Sequence, residues 1–142
     1  MKNSIAYSMD LETLNVPHGD IIKVINKDHQ NFKGFGELYF SDIDSQQIKG
    51  WKCNENAYQM LIVLSGSVNF VCTINKEFSK TYEYNLTSSS PKALFIYPKT
   101  WYAFKGISDK TSRIMSLINI KHIDIIQKKI PVAEIIYDWN KK

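Results

Sequence analysis

Short runs of β-branched and aromatic residues recur through this chain, broken at intervals of about 8–15 positions by Gly, Pro, Asn, Asp or Ser. That cadence leaves little room for helices. It begins in DIIKVINK, residues 20–27, and returns in GFGELYFSDI, residues 34–43. AYQMLIVLSGSVNFVCTI, residues 57–74, reads as a hairpin turned through Ser65-Gly66. KTYEYNL, KALFIYP and TSRIMSLINI follow, set apart by turn signals at Asn75-Lys76, Ser88-Ser89-Ser90-Pro91, Pro98-Lys99 and Ser108-Asp109. The pattern predicts strands over residues 38–43, 59–64, 68–74, 93–97 and 113–120. Only HIDIIQKKI has helical spacing, predicting a short C-terminal helix over residues 124–129. An all-β sandwich or barrel follows. No internal repeat, low-complexity tract or linker divides the chain, so residues 1–142 are expected to form one domain.

Composition narrows the function classes. A hydrophobic fraction of 44% with 23% charged residues suits a globular core rather than a disordered chain. The longest wholly apolar run, residues 60–64, is far short of the roughly 20 residues of a membrane span. The first fifteen residues interrupt their apolar positions with Ser, Asp and Glu, unlike a secretory signal. Cys53 and Cys72 lack CxxC spacing, and the expected location is the cytoplasm. The net charge of +4 comes from lysines that are scattered, apart from the pairs Lys128-Lys129 and Lys141-Lys142. A nucleic-acid surface would gather them into a stripe. The expected partner is instead a small anion such as a nucleotide diphosphate, with no nucleic acid and no membrane.

The stretch IKGWKCNENAYQMLIVLSGSVNFV, residues 48–71, crowds Lys49, Trp51, Lys52, Cys53, Asn54 and Gln59 into the approach to the hairpin. SGSV and YPKTWYAF, about thirty residues apart, have the cadence of a small jelly roll. In such a barrel, glycine tightens the hairpin turn and proline resets the chain at the mouth. With GFGELYFSDI and IIYDW added, the chain resembles the dTDP-4-dehydrorhamnose 3,5-epimerase family of RmlC-like cupins over residues 19–139. The most specific pieces are Lys49-Gly50-Trp51, Trp101–Gly106 and Tyr137-Asp138-Trp139. Sugar 3,4-ketoisomerases, another cupin family of similar length, share the hairpin cadence.

The resemblance implies a jelly-roll homodimer acting on a nucleotide-linked 4-keto-6-deoxy sugar in surface-polysaccharide biosynthesis. A base would remove a proton beside the ketone, an enolate would form, and a proton would return. The family's basic His, directly after a Gly-aromatic pair, falls at Lys52, and a second His of related members falls at Asn54. A Lys that faces the enolate falls at Gln59, and the acidic Tyr falls near Met115.

A desolvated lysine can titrate several units below its usual value, so Lys52 is a candidate base. Tyr58, Tyr84, Tyr97 and Tyr102 are candidate acids or sugar-hydroxyl partners, with Tyr102, in the turn at the mouth, the foremost catalytic candidate beside Lys52. Lys49 and Lys52 face opposite sides of a regular strand and converge only through a bulge or turn at Gly50. The alternative is that Lys52 is a solvated rim lysine. Lys49 or Lys52 would meet a phosphate or the enolate oxygen, Asn54 and Gln59 would bond the sugar, and Trp101 would close the wall beside Tyr102. Trp51 packs outward under a dimer partner or walls the pocket. Cys53 reads as a core thiol. His18, His29 and His122 form no ligand cluster, so neither a metal nor a cofactor is expected. Three functions stay open: an epimerase, a 3,4-ketoisomerase, and a non-catalytic cupin that binds a nucleotide sugar or supports a partner enzyme. The homodimer is expected to pack residues 21–26 and 36–43 across its two-fold axis.

Overall fold

The computed structural model describes residues 5–74 and 79–140. Its strands are β1 (Ala6–Asp10), β2 (Glu12–Leu14), β3 (Ile21–Lys23), β4 (Glu37–Ile43), β5 (Ile48–Asn54), β6 (Gln59–Ser65), β7 (Ser67–Thr73), β8 (Tyr82–Thr87), β9 (Lys92–Ile96), β10 (Trp101–Gly106), β11 (Ser112–Ile118) and β12 (Gln127–Lys129). Two five-stranded antiparallel sheets face each other, in the orders β1-β9-β6-β11-β4 and β12-β5-β10-β7-β8, and β2 and β3 pair separately. This is a cupin jelly roll, as the strand cadence and the resemblance led one to expect.

Alternation along each strand sends one set of side chains into the barrel and the other outward. Val68, Phe70 and Cys72 of β7 meet Leu61 and Val63 of β6 inside, joined by Tyr102 and Phe104 of β10. Met60 and Ile62 point the other way but remain buried, because Tyr7, Met9, Leu11, Val24 and Ile25 cover that face. The outer face of the second sheet, with Trp51, Cys53, Val71, Trp101 and Ala103, lies under Ile130, Ile135, Tyr137 and Trp139 of the C-terminal segment. Residues 59–63 therefore read as a continuous apolar run with one polar member, Gln59.

The expected C-terminal helix is absent. His122–Asp124 and Val132–Glu134 are single 3₁₀ turns, and Gln127–Lys129, inside the predicted helix, is a strand. Its register against β5 is Gln127↔Asn54, Lys128↔Cys53 and Lys129↔Lys52. Ile123, Ile125, Ile126 and Ile130 imitate a helical stripe in sequence. Six residues nucleate a helix poorly, however, and the open edge of β5 offers the backbone a ladder instead. The strand read over 20–27 shortens to β3. Residues 48–54, which read as a polar approach to a hairpin, form a full strand paired with β10. The turn expected at Asn75-Lys76 lies outside the described residues.

Candidate active site in the barrel

The β5–β10 ladder is regular at Trp101↔Cys53 and Tyr102↔Lys52, then resumes at Phe104↔Lys49. Two residues of β5, Gly50 and Trp51, stand against Ala103 alone, which is a bulge. Gly50 has φ +140°, and a Cβ there would lie 2.7 Å from Cα of Ala103, so the bulge requires glycine. The extra residue turns Lys49 to the same face as Lys52, opposite the inward-facing Tyr102 and Phe104. The convergence that a regular strand forbids is thus built in.

Behind Lys52 opens a small cavity, partly continuous with solvent. Its polar lining is Tyr39 and Ser41 from β4, Lys52 from β5, Gln59 from β6, Tyr102 from β10 and Ser116 from β11; Leu61, Phe104 and Ile114 supply the apolar walls. Nε2 of Gln59 donates to Oγ of Ser116 at 2.8 Å and to the hydroxyl of Tyr39 at 3.4 Å. Gln59 is only 4% exposed, and its Oε1 has no hydrogen-bond partner. A buried acceptor left open calls for a donor from a ligand or water.

Electrostatics in this cavity favour proton transfer. Nζ of Lys52 lies 5.9 Å from the ring centroid of Tyr102. Burial holds the Lys52 ammonium below its usual pKa, and the charges of Lys129 and then Lys49 push it the same way. Burial also raises the Tyr102 hydroxyl far above the usual tyrosine value; Tyr39 and Cys72 add to this, while hydrogen bonding with Gln59 and Asn54 opposes it. Lys52 is thus predisposed to lose its proton and Tyr102 to keep one. Lys52 suits a base, while Tyr102 stays protonated and offers its hydroxyl as a donor.

The remaining candidates separate. Lys49 stays exposed, and its Nζ donates to the backbone carbonyl of Asp42 at 2.6 Å. Asn54 is buried beside the cavity, and its Oδ1 accepts from Nε2 of Gln127 at 2.9 Å. Trp51 and Trp101 lie across the sheet from the cavity, where Trp51 packs on Tyr137 and Trp139 with centroids 6.3 and 6.0 Å apart. The structure does not bring either tryptophan to Lys52. Cys53 is buried on that same outer side. His29 stacks on Phe95, and His122 meets the edge of Tyr39 with centroids 6.0 Å apart. Among the described residues, no three His, Cys, Asp or Glu side chains gather where a metal could bind.

Sequence reading missed Tyr39, Ser41 and Ser116. The signal was present in β4, ELYFSDI, where the more polar Tyr39 and Ser41 alternate with Leu38 and Phe40. Such a strand has a polar inner face only if that face lines a cavity.

A family model described as FdtA: WxcM-like, C-terminal, matches residues 6–124. No curated protein matches the chain in sequence. Solved structures do match in fold. A dTDP sugar isomerase from Desulfovibrio desulfuricans superposes with TM-score 0.82 at 23% identity, over 94% of this chain and 90% of that one. NovW, a 4-keto-6-deoxy sugar epimerase from Streptomyces spheroides, gives TM-score 0.83 at 14% identity, over 99% and 78%. QdtA, a sugar 3,4-ketoisomerase from Thermoanaerobacterium thermosaccharolyticum in complex with TDP, gives 0.70 at 18% identity, over 87% and 88%.

Proposed function

The chain belongs to the FdtA family of WxcM-like C-terminal domains, and on that premise we propose that it isomerises a nucleotide-linked 4-keto-6-deoxy sugar by moving a proton beside the ketone. The observation that carries this is the pairing, in one half-closed cavity, of a lysine depressed by burial with a tyrosine raised by it. The neutral Lys52 amine takes the proton from the carbon next to the carbonyl. The electrons of that C–H bond form the enolate double bond, and the carbonyl π electrons move to oxygen. Hydroxyls of Tyr39 and Ser116 are the donors available to that oxygen. In an epimerisation a proton returns to the opposite face of the same carbon, with Tyr102 as the donor. In a ketoisomerisation the enolate oxygen takes the proton of the hydroxyl on the deprotonated carbon, the C–O bond there becomes the new carbonyl, and Lys52 returns its proton to the former carbonyl carbon. Gln59 Oε1 accepts from a sugar hydroxyl, and Lys49 at the rim meets the diphosphate.

A homodimer in the cytoplasm, serving surface-polysaccharide biosynthesis, completes this reading. Leu38 and Phe40 on β4, at 49% and 58% exposure, supply an apolar face for a second copy.

A second reading has its own support. Lysine and asparagine stand where the resembling epimerases carry histidines, and Asn54 is already engaged by Gln127. On that reading the barrel binds the nucleotide sugar without turning it over, or supports a partner enzyme. Incubation with 4-keto-6-deoxy nucleotide sugars in D₂O separates the two. Catalysis places deuterium on a carbon flanking the ketone, seen by NMR. Tight binding with no deuterium at either carbon favours the non-catalytic cupin.

A further inference from the structure

Residues beyond the family match extend the sheet that carries Lys52. The matched segment ends at residue 124, whereas β12 follows it and forms the edge of the sheet that carries Lys52. Its register sets Lys129 directly opposite Lys52 and Gln127 opposite Asn54. Side chains paired across antiparallel strands share a face. Gln127 and Lys129 therefore lie on the Lys52 side of the sheet, while Lys128 alternates away and forms an ion pair with Glu55 at 2.6 Å.

We propose that Lys129 is a positioning residue of the site: standing opposite Lys52, its ammonium keeps the Lys52 amine free to accept a proton. The inference rests on the isomerase reading above, since only a base benefits from that arrangement. Groups facing Lys52 come from each neighbouring element. They are Tyr102 on β10, Lys49 across the bulge, Tyr39 on β4 and Lys129 on β12. None of these is a carboxylate, and no carboxylate lines the cavity. Asp42 on β4 is held by Arg113 at 2.9 Å. Among the described residues, Lys52 forms no ion pair. With no counter-charge to stabilise the ammonium, neighbouring cations favour the neutral amine. Lys129 precedes Lys49 in that effect, consistent with its directly opposed place in the ladder. Gln127 completes the device by fixing Asn54, one of two buried amides beside Tyr102.

The test needs no sugar. Reductive methylation with ¹³C-formaldehyde keeps each lysine charge and makes every amine visible by NMR. The Lys52 signal is the one missing from Lys52→Arg. Its titration midpoint should lie below those of the surface lysines. Lys129→Gln should raise that midpoint by roughly half a pH unit, as expected for one unit charge removed near a half-screened site. Lys129→Arg should restore the original midpoint, and 1 M salt should shrink the difference between variants. An unmoved midpoint in Lys129→Gln, or the same rise in Lys129→Arg, would overturn the inference. So would a Lys129→Gln variant that weakens diphosphate binding while leaving the midpoint in place, since Lys129 would then be an anion contact. Because this titration is free of substrate, it fails separately from the deuterium-exchange assay, which tests the reaction itself.

Discussion

Lys52 combines an electrostatic penalty with a chemical use. Its depressed pKa means that the folded chain binds this proton less readily than the unfolded chain, whose lysines titrate near 10.4. Between the lowered value and about 10.4 the unfolded state holds more protons, so this group makes stability rise with pH across that window. Below it, the buried ammonium is a standing cost. Lys52→Met should therefore raise stability at pH 7 by about 1 kcal/mol and flatten the pH dependence toward pH 10. Urea denaturation of both proteins at the two pH values measures it. Equal midpoints and equal slopes for the two proteins would mean that Lys52 is fully solvated in the fold. Little of this was legible in sequence. The residue type and its crowded neighbourhood marked Lys52 and Tyr102, but Tyr39 and Ser116 carry no motif. They join the site only because antiparallel register sets Tyr39 opposite Ser116, and Ser116 opposite Leu61.

At the scale of elements, the β6–β7 hairpin was the most legible part, since its apolar alternation and Ser65-Gly66 turn fit one structure only. β5 was the least. Its Lys52 faces the cavity, while Trp51 and Cys53 are buried beneath a C-terminal segment far away in sequence. A local pattern cannot reveal a cover that arrives some eighty residues later, and the same gap turned β12 into an expected helix. The bulge in β5 is the element on which the site depends. Gly50→Ala places a methyl group against Ala103 at a positive φ that L-residues avoid. It should destabilise the fold by roughly 1–3 kcal/mol and reduce proton exchange further than the lost stability explains. Exchange measured under conditions where the variant is fully folded separates the two effects. A variant of unchanged stability and unchanged rate would show that Lys52 is not positioned by the bulge.

Across the whole molecule, two sheets enclose the cavity behind Lys52, and apolar surface remains outside. Leu38 and Phe40 stand on an edge strand, and the β2–β3 hairpin exposes Ile21 and Ile22 without a third strand to support it. A lone two-stranded ribbon is marginal in water, so a second copy is the expected support. Light scattering at micromolar concentration should give twice the chain mass, and Phe40→Glu should shift it toward the monomer. A monomer in the unaltered protein would remove the two-fold arrangement. No helix of the described residues is long and apolar enough to cross a membrane.

The central claim is that Lys52 moves a proton beside a ketone. ¹H NMR of a 4-keto-6-deoxy nucleotide sugar in D₂O, with unaltered protein and with Lys52→Ala, tests it most directly. The unaltered protein should exchange a proton flanking the ketone for deuterium. Lys52→Ala should lose that exchange while binding the nucleotide within about tenfold of the original affinity, because a base acts mainly on the transition state. Undiminished exchange in Lys52→Ala, or none in the unaltered protein with any such sugar, would contradict the account.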